Sequence, residues 1–270
     1  MTRSRNFYVP TEQMRLIREH PLARGLKAFW LLTPRHGLVD LVARIPLTKN
    51  GAVGLDGRGQ RGPGSKFNGG YWAAPSCPAT KISTSSISLA AGIRTGTNDG
   101  VGKVIIGQPA GSSHADPYFY YTLFWNCYTG IDKLNFRLDY TYCEGGSMGG
   151  SNAEYSCMGT YDGATMTAYL DGASVATAAR TGAVLSNTQY LRLGANRDGN
   201  ETFNGTTYYA AIWDVARSAH DAVRMHRTPF AMLEPDRKRR SVVVSAAASV
   251  GIWKLAGARS RLAGRGGLAA

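Results

Sequence analysis

Two Asp-Gly pairs in close succession constrain the fold of this chain more than any other feature. Asp162-Gly163 and Asp171-Gly172 each stand between short runs rich in Tyr, Thr, Val and Ala. A tight hairpin turn needs positive φ angles, which glycine adopts at little cost, so Asp-Gly between such runs is a strong hairpin signal. Residues 158–177 are therefore predicted to form three consecutive antiparallel strands.

The composition of the whole chain agrees with many short strands joined by glycine-rich turns. Its 270 residues include 33 glycines, and only 18% of them are charged. This is not the composition of a helical bundle. Further strands are predicted at residues 26–32, which are largely apolar, and at residues 134–143, which alternate with period two.

Short helices are predicted near both ends of the strand-rich region. One covers residues 11–20, with Thr11 as its cap, and ends at Pro21 because proline disfavours helix in the residue before it. The other begins after Ser218, whose side chain can form a capping box with Asp221.

Several segments resemble, in order and spacing, the LamG-like domains of the concanavalin A-like jelly rolls. Besides the Asp-Gly hairpins, these are HPLARGL at residues 20–26, FNGG at 67–70 and LRLGAN at 191–196. The resemblance covers residues 20–228. It implies an all-β fold, a two-sheet antiparallel jelly-roll sandwich with short terminal helices and an extended C-terminal arm.

This resemblance divides the chain into three predicted parts. Residues 1–19 are a basic N-terminal arm with the short helix, and residues 20–228 are the LamG-like jelly roll. Residues 229–270 are a basic, β-prone C-terminal arm. Of the formal net charge of +13, residues 1–29 carry +4 and residues 230–270 carry +6, so the residues between them carry only +3 and are nearly neutral.

A catalytic role is not predicted. Jelly rolls of this class include glycoside hydrolases, in which acids on alternate residues of one strand place two carboxylates in the same groove. Glu234-Pro235-Asp236 starts such a pattern, but Arg239 stands where a third acid belongs, and the proline breaks the strand. The chain is therefore expected not to be an enzyme, and no cofactor is predicted.

A calcium site of the LamG type is not predicted either. Calcium takes oxygen ligands, often carboxylates. Asn68 replaces the usual aspartate of the family motif, and Gly69, Gly70 and Tyr71 replace its acidic followers. Asp198 is one candidate ligand, for which turn formation is the favoured interpretation.

The four cysteines and the N-terminus bear on the compartment. Cys77, Cys127, Cys143 and Cys157 form no Cys-x-x-Cys pair, and free, mostly buried thiols are the default, with a Cys127–Cys143 bridge as the alternative. The N-terminus lacks the apolar segment of a signal peptide. The protein is therefore expected not to be exported by that route.

The first predicted function is structural. HPLARGL and the PFAM sequence at residues 229–232 resemble segments of the LamG-like proteins of tailed phages. This resemblance implies a non-enzymatic structural protein of the virion. A protein of this kind is either a head decoration or another subunit attached to the capsid or tail. Such a protein is assembled in the host cytoplasm and located in the virion. Its expected partners are other virion subunits and further copies of itself, not nucleic acid and not a membrane.

The C-terminal arm is the predicted partner-binding segment. A β-prone arm can add a strand to the exposed sheet edge of a neighbouring subunit. The candidate contacts are its basic and apolar residues: Arg237, Lys238, Arg239, Arg240, Val242, Val244, Ile252 and Trp253.

The alternative function is a carbohydrate-binding, adhesin-type module. It would use a platform of aromatic residues on one sheet, although aromatic residues in strands more often pack in a core. The candidates for glycan contact are Trp72, Tyr118, Tyr120, Trp125 and Tyr142.

Overall fold

The strands of this chain form an antiparallel sandwich, as the sequence predicts. The computed structural model describes residues 9–10, 13–33, 38–55, 62–98, 100–110, 119–126, 132–149, 151–196, 198–199 and 201–236. Within these ranges two large sheets and one two-stranded ribbon account for the strands. The predicted all-β jelly-roll class is confirmed.

One face of the sandwich is a seven-stranded sheet. In spatial order it consists of β11 (Thr141–Ser147), β10 (Lys133–Leu138), β9 (Phe119–Asn126), β8 (Lys103–Pro109), β15 (Leu191–Leu193), β6 (Tyr71–Ala74) and β3 (Thr48–Asn50). Strand β15 lies between β8 and β6, so the sheet joins parts of the chain that are far apart in sequence.

The opposite face is an eight-stranded sheet. Its members are β14 (Ala173–Ala179), β13 (Thr165–Leu170), β12 (Glu154–Tyr161), β7 (Ile87–Thr95), β16 (Asn204–Trp213), β5 (Ser65–Asn68), β4 (Val53–Gly54) and β2 (Leu26–Leu31), the last of which pairs with β16.

The main core lies between the two sheets. Because side chains alternate across a strand, Ala210 and Ile212 of β16 belong to this core, whereas Tyr209, Ala211 and Trp213 belong to a second cluster. That second cluster covers the outer face of the eight-stranded sheet. It includes residues of helix α1 (Ala219–Arg227), of the turn Pro21–Ala23 and of strand β17 (Leu233–Pro235).

The predicted Asp-Gly hairpins are confirmed. Strands β12, β13 and β14 are paired in sequence, and the turns between them contain Gly163 at φ 103°, Asp171 at φ 51° and Gly172 at φ 83°. Helix α1 begins after Ser218 with the predicted capping box, since Ser218 and Asp221 each bond the other's backbone N–H.

The helix predicted over residues 11–20 is wrong. In its place β1 (Met14–Leu16) runs antiparallel to β17, and an ion pair of 2.9 Å joins Arg15 to Glu234. Helix propensity depends on local sequence alone, so it does not predict pairing between segments that are far apart in the chain. Strands β1 and β17 lie in segments predicted as arms, so the folded unit extends beyond the predicted 20–228.

The single strand predicted over residues 134–143 is also wrong. It is a hairpin of β10 and β11, and the chain reverses at Asp139, which adopts φ 49°. Asp and Asn tolerate this left-handed conformation better than other side chains do. The alternation continues across the turn, which is why the sequence reads as one strand.

The described cysteines form no disulfide bonds. Cys143 and Cys157 are buried in the main core, and Cys77 packs against it. Because Cys143 is free, the alternative of a bridge to Cys127 is not formed. Cys127 itself lies outside the described residues.

Candidate functional site

The outer face of the seven-stranded sheet carries a cross-strand row of outward-facing residues. Register places in this row Tyr142, Arg137, Thr122, Gly107, Arg192 and Ala73. The middle of the row is buried, since Thr122 is only 1% exposed. Tyr142 at one end is exposed and Arg192 near the other end is half-buried, whereas the terminal Ala73 is buried.

The Tyr142 end combines an exposed aromatic ring with converging polar groups. We call it the β9–β11 patch, and its members are Phe124, Asn126, Lys133, Asn135, Arg137, Tyr142 and Glu144. They share one face because they pair in register or lie two residues apart on a strand.

Tyr142 presents its ring to solvent in a fixed orientation. Its side chain is 51% exposed, and the Arg137 guanidinium lies 4.5 Å from the centre of the ring. The Arg137 side chain is held in place, because its Nε donates a hydrogen bond of 2.7 Å to the Asp139 carbonyl. The cation–π contact therefore supports one side of an aromatic surface.

The turn beneath Tyr142 is anchored by a buried ion pair. Arg180 Nη2 lies 2.5 Å from Asp139 Oδ2, and both side chains are nearly buried. Burial raises the pKa of Asp139, and the Arg180 guanidinium acts in the opposite direction. Arg180 also stacks on Tyr161 of the facing sheet, so the turn that orients Arg137 is tied to both sheets.

Glu144 accepts hydrogen bonds from two asparagine side chains on the neighbouring strands. Its Oε2 accepts a hydrogen bond of 2.5 Å from Asn126 Nδ2 and one of 3.1 Å from Asn135 Nδ2. Within the described part of the chain, the carbonyl oxygens of both amides are buried and have no hydrogen-bond partner. Sequence reasoning missed this cluster, because it depends on the register of three strands.

The Arg192 end of the row is a smaller version of the same arrangement. The Arg192 guanidinium lies 4.7 Å from the centre of the Tyr71 ring, and its Nη1 donates to the Asn196 carbonyl. Asn196 in turn donates to Glu201. The polar atoms of these side chains thus bond within the protein.

The five predicted glycan-contact residues do not lie together. Tyr142 is exposed, but Trp72 and Trp125 are buried in the main core, where their ring N–H groups donate to Ser65 and Asp132. Their placement in a platform is therefore wrong. Tyr120 is half-buried against the same core.

The remaining predicted contacts cannot be placed in the fold. Tyr118 lies outside the described residues, and so do all eight predicted partner-binding residues, which fall within 237–253. Their roles stay predictions from the sequence.

Asp198, the candidate metal ligand for which turn formation is the favoured interpretation, lies in a turn. Its backbone N–H bonds Asn196 Oδ1, and the N–H of Gly199 bonds the Asn196 carbonyl, which is how asparagine side chains stabilise turns. Across the described ranges no group of three or more His, Cys, Asp or Glu side chains is arranged to hold a metal ion. None of the described helices has the length and apolarity needed to cross a membrane.

The two-sheet antiparallel sandwich defines a jelly-roll class of domain, and sequence comparison agrees. A family model described as the concanavalin A-like lectin/glucanases superfamily matches residues 67–222, more than half of the chain. The chain belongs to this superfamily. No curated protein sequence matches it significantly.

Solved structures with the same fold include domains from carbohydrate-active proteins and toxins. Domain 4 of AbnA, a GH43 extracellular arabinanase from Geobacillus stearothermophilus in complex with arabinotriose, matches with a TM-score of 0.58 at 14% identity, over 74% of this chain and 98% of that chain. Trypanosoma rangeli sialidase matches with a TM-score of 0.55 at 16% identity, over 80% of this chain and 36% of the sialidase.

A third match is a botulinum neurotoxin type C structure, whose cell entry is described as dependent on two ganglioside molecules. Its TM-score is 0.54 at 15% identity, over 76% of this chain and 52% of that chain. The chain thus spans about a third of the sialidase and half of the toxin chain. At these identities the three matches show a shared fold.

Proposed function

We propose that this protein is a non-enzymatic carbohydrate-binding module that holds a glycan against the β9–β11 patch. The observation that carries the proposal is the Tyr142 ring, which is 51% exposed and stacked on Arg137 at 4.5 Å. Aromatic rings with an open face and a polar edge suit surfaces that must be both apolar and wet. A sugar ring, with apolar C–H faces and hydroxyl edges, matches such a surface.

The polar neighbours of Tyr142 support the same function. Binding sites combine apolar or aromatic surface with a few placed polar groups that fix orientation. Glu144 lies two residues from Tyr142 on the same face, which is about 7 Å along the strand, close to the width of one sugar ring. A glycan stacked on Tyr142 can therefore reach the Glu144 cluster.

The comparisons favour this function over the structural one. The superfamily is named for lectins and glucanases, and the solved neighbours include an arabinanase domain in complex with arabinotriose and a toxin whose cell entry depends on gangliosides. These ligands belong to those proteins. They support carbohydrate binding here as a proposal.

A binding role without hydrolysis is supported by the acids of the sheet. Within its seven strands Glu144 is the only acidic residue. A glycosidase of the common type uses two carboxyl groups about 5–9.5 Å apart. With one carboxylate bonded to two amides, the patch is suited to holding a sugar.

The test is a binding screen with defined glycans. Arabinotriose, cellohexaose, lactose and sialyllactose are immobilised, and Tyr142→Ala is compared with wild type. Loss of one stacking contact is expected to weaken binding about tenfold, or about 1.4 kcal/mol. Leu185→Ala is the control, because Leu185 is 49% exposed but lies outside the patch. If no probe on a wider array binds in a Tyr142-dependent way, the proposal is wrong.

The structural virion role stays a prediction from the sequence. An adhesin-type module can itself be a virion component, so the two functions are compatible. The discriminating observation is the set of neighbouring genes, since capsid and portal genes favour decoration and tail-tip genes favour adhesion.

A further inference from the structure

We propose that Glu144 is a positioning residue that makes the β9–β11 patch selective for uncharged sugar hydroxyls. This inference rests on the carbohydrate-binding function and adds the class of ligand. It starts from the hydrogen bonds of three side chains on β9, β10 and β11: Asn126, Asn135 and Glu144.

The direction of the two amides follows from the chemistry of Glu144. An ionised carboxylate only accepts hydrogen bonds. Asn126 and Asn135 must therefore turn their Nδ2 groups toward Glu144 Oε2, at 2.5 and 3.1 Å. In a planar amide the oxygen then points away from the carboxylate. Glu144 thus fixes which atom each asparagine offers to a ligand.

The atoms of this cluster that lack a hydrogen bond are acceptors. In the described structure Asn126 Oδ1 and Asn135 Oδ1 are buried without a hydrogen-bond partner. The Nδ2 groups of the same two residues do have a partner, which is Glu144. A buried polar atom without a partner is costly, and such atoms in native proteins call for an explanation. A bound group that donates hydrogen bonds to both oxygens supplies one.

Sugar hydroxyls meet this requirement and anionic groups do not. A hydroxyl donates one hydrogen bond, whereas an ionised carboxylate or sulfate has no proton to donate. The discrimination rests on this missing proton, because the positive charges of Arg137 and Lys133 on the same face offset the negative charge of Glu144. The patch is therefore built to accept neutral hydroxyls and to reject acidic substituents at this position.

Access to the two oxygens involves the aromatic neighbour Phe124. Its half-buried ring is directly across from Asn135 in register. Because both oxygens are shielded from bulk water, a hydroxyl reaches them when a neighbouring side chain of the face moves aside. Aromatic side chains rotate about two torsions, and rotation of the Phe124 side chain is the adjustment that the inference requires.

The experiment uses pairs of glycans that differ in charge. The probes are methyl-esterified and de-esterified oligogalacturonates, and lactose with sialyllactose, measured on the full chain. About 0.5 M salt screens the general attraction of anions to a basic protein. Wild type is expected to prefer the neutral member of a pair about tenfold, and Glu144→Ala is expected to reduce this preference to about threefold or less.

Four variants separate positioning from other roles. Glu144→Gln keeps a carbonyl oxygen that can accept from both asparagines, so it is expected to restore the preference. Tyr142→Ala is expected to weaken both members of a pair equally. Glu234→Ala removes an exposed carboxylate outside the patch and is expected to leave the preference unchanged. In the fourth, Asn135→Ala, one acceptor is lost, and the neutral probe is expected to bind more weakly.

A measurement without glycan tests the geometry itself. In NMR spectra the side-chain NH₂ signals of Asn126 and Asn135 are expected to shift in Glu144→Ala and to stay near wild type in Glu144→Gln. Unchanged signals in Glu144→Ala overturn the inference. So does a preference for the acidic probe, or a preference that Glu144→Ala leaves intact, while Tyr142-dependent binding persists. Absence of Tyr142-dependent binding to any probe overturns the proposed function and this inference together.

Discussion

The ring of Phe136 lies directly on the backbone of Gly159, across the interior of the sandwich. A Cβ built on Gly159 would lie 2.3 Å from Phe136 Cγ, far inside van der Waals contact. Phe136 belongs to β10 of the seven-stranded sheet and Gly159 to β12 of the opposite sheet. The spacing of the two sheets at this point therefore depends on a glycine.

Gly159→Ala is expected to destabilise the fold. The added methyl group has no space in a close-packed core, and overpacking of this kind costs about 1–3 kcal/mol. Urea unfolding of the purified variant measures the loss. Gly54→Ala is the control, because a Cβ there meets nothing within 4 Å. In the double variant with Phe136→Leu part of the loss should be recovered, and two losses that simply add would contradict the contact.

Asp40→Ala is expected to destabilise the fold through unpaired backbone groups. The buried Asp40 carboxylate accepts hydrogen bonds from the N–H groups of Phe29, Val42 and Ala43, and so ties a loop to β2. Burial raises the pKa of Asp40, and these hydrogen bonds act in the opposite direction. The Phe29 N–H is buried, and a buried donor left without a partner costs about 1–3 kcal/mol, whereas the N–H groups of Val42 and Ala43 are only partly buried, so a loss of about 1–3 kcal/mol is expected.

Thermal and chemical unfolding measure the Asp40 effect. Asp40→Asn keeps one acceptor oxygen and is expected to lie between Asp40→Ala and wild type. Asp236→Ala, at an exposed position, should leave stability unchanged. If Asp40→Ala unfolds at the wild-type midpoint, the loop is not held by this carboxylate.

Local signals in the sequence were sufficient for much of the fold. The turn at Asp171-Gly172 and the capping box of Ser218 with Asp221 each depend on residues a few positions apart. The strand β1 was missed because its partner β17 lies at the other end of the folded unit. The reversal at Asp139 was missed because the alternation of side chains continues through it.

The candidate site was only partly predictable. Tyr142 is recognisable as an aromatic residue in a strand, but alternation alone does not reveal that it faces outward while Trp125 faces the core. The Glu144 cluster is brought together by pairing among β9, β10 and β11. Such pairing depends on the whole sheet, so no short sequence motif predicts it.

Deletion of residues 241–270 is expected to impair assembly without unfolding the jelly roll. The described strands end at β17 (Leu233–Pro235), so the truncated chain retains all of them. A strand added to a neighbouring sheet edge contributes a ladder of hydrogen bonds, whose loss should reduce incorporation into particles. Mass spectrometry of purified particles measures the occupancy, with Tyr142→Ala as a variant that should assemble normally. Full occupancy of the truncated chain would remove the support for a virion role.

His20 is expected to make stability depend on pH just below neutrality. Its Nδ1 accepts a hydrogen bond of 3.2 Å from the Leu22 N–H and caps the turn Pro21–Ala23. Burial lowers the pKa of His20 below its ordinary value of 6.5, and the nearby Arg224 and Arg217 lower it further. Protonation at Nδ1 would remove the acceptor, so the cap requires the neutral ring.

The sign of the His20 effect follows from this lowered pKa. The unfolded chain takes up the proton first, so the stabilisation is complete above pH 6.5 and declines as the pH falls from there through the lower folded-state pKa. His20→Asn keeps a capping oxygen that does not titrate. Unfolding free energies measured from pH 8 to 5 should therefore fall more steeply in wild type than in His20→Asn. The difference between the two curves isolates His20 from other groups such as His226, which lies 3.4 Å from Asp171. Parallel curves would show that the cap does not titrate in this range.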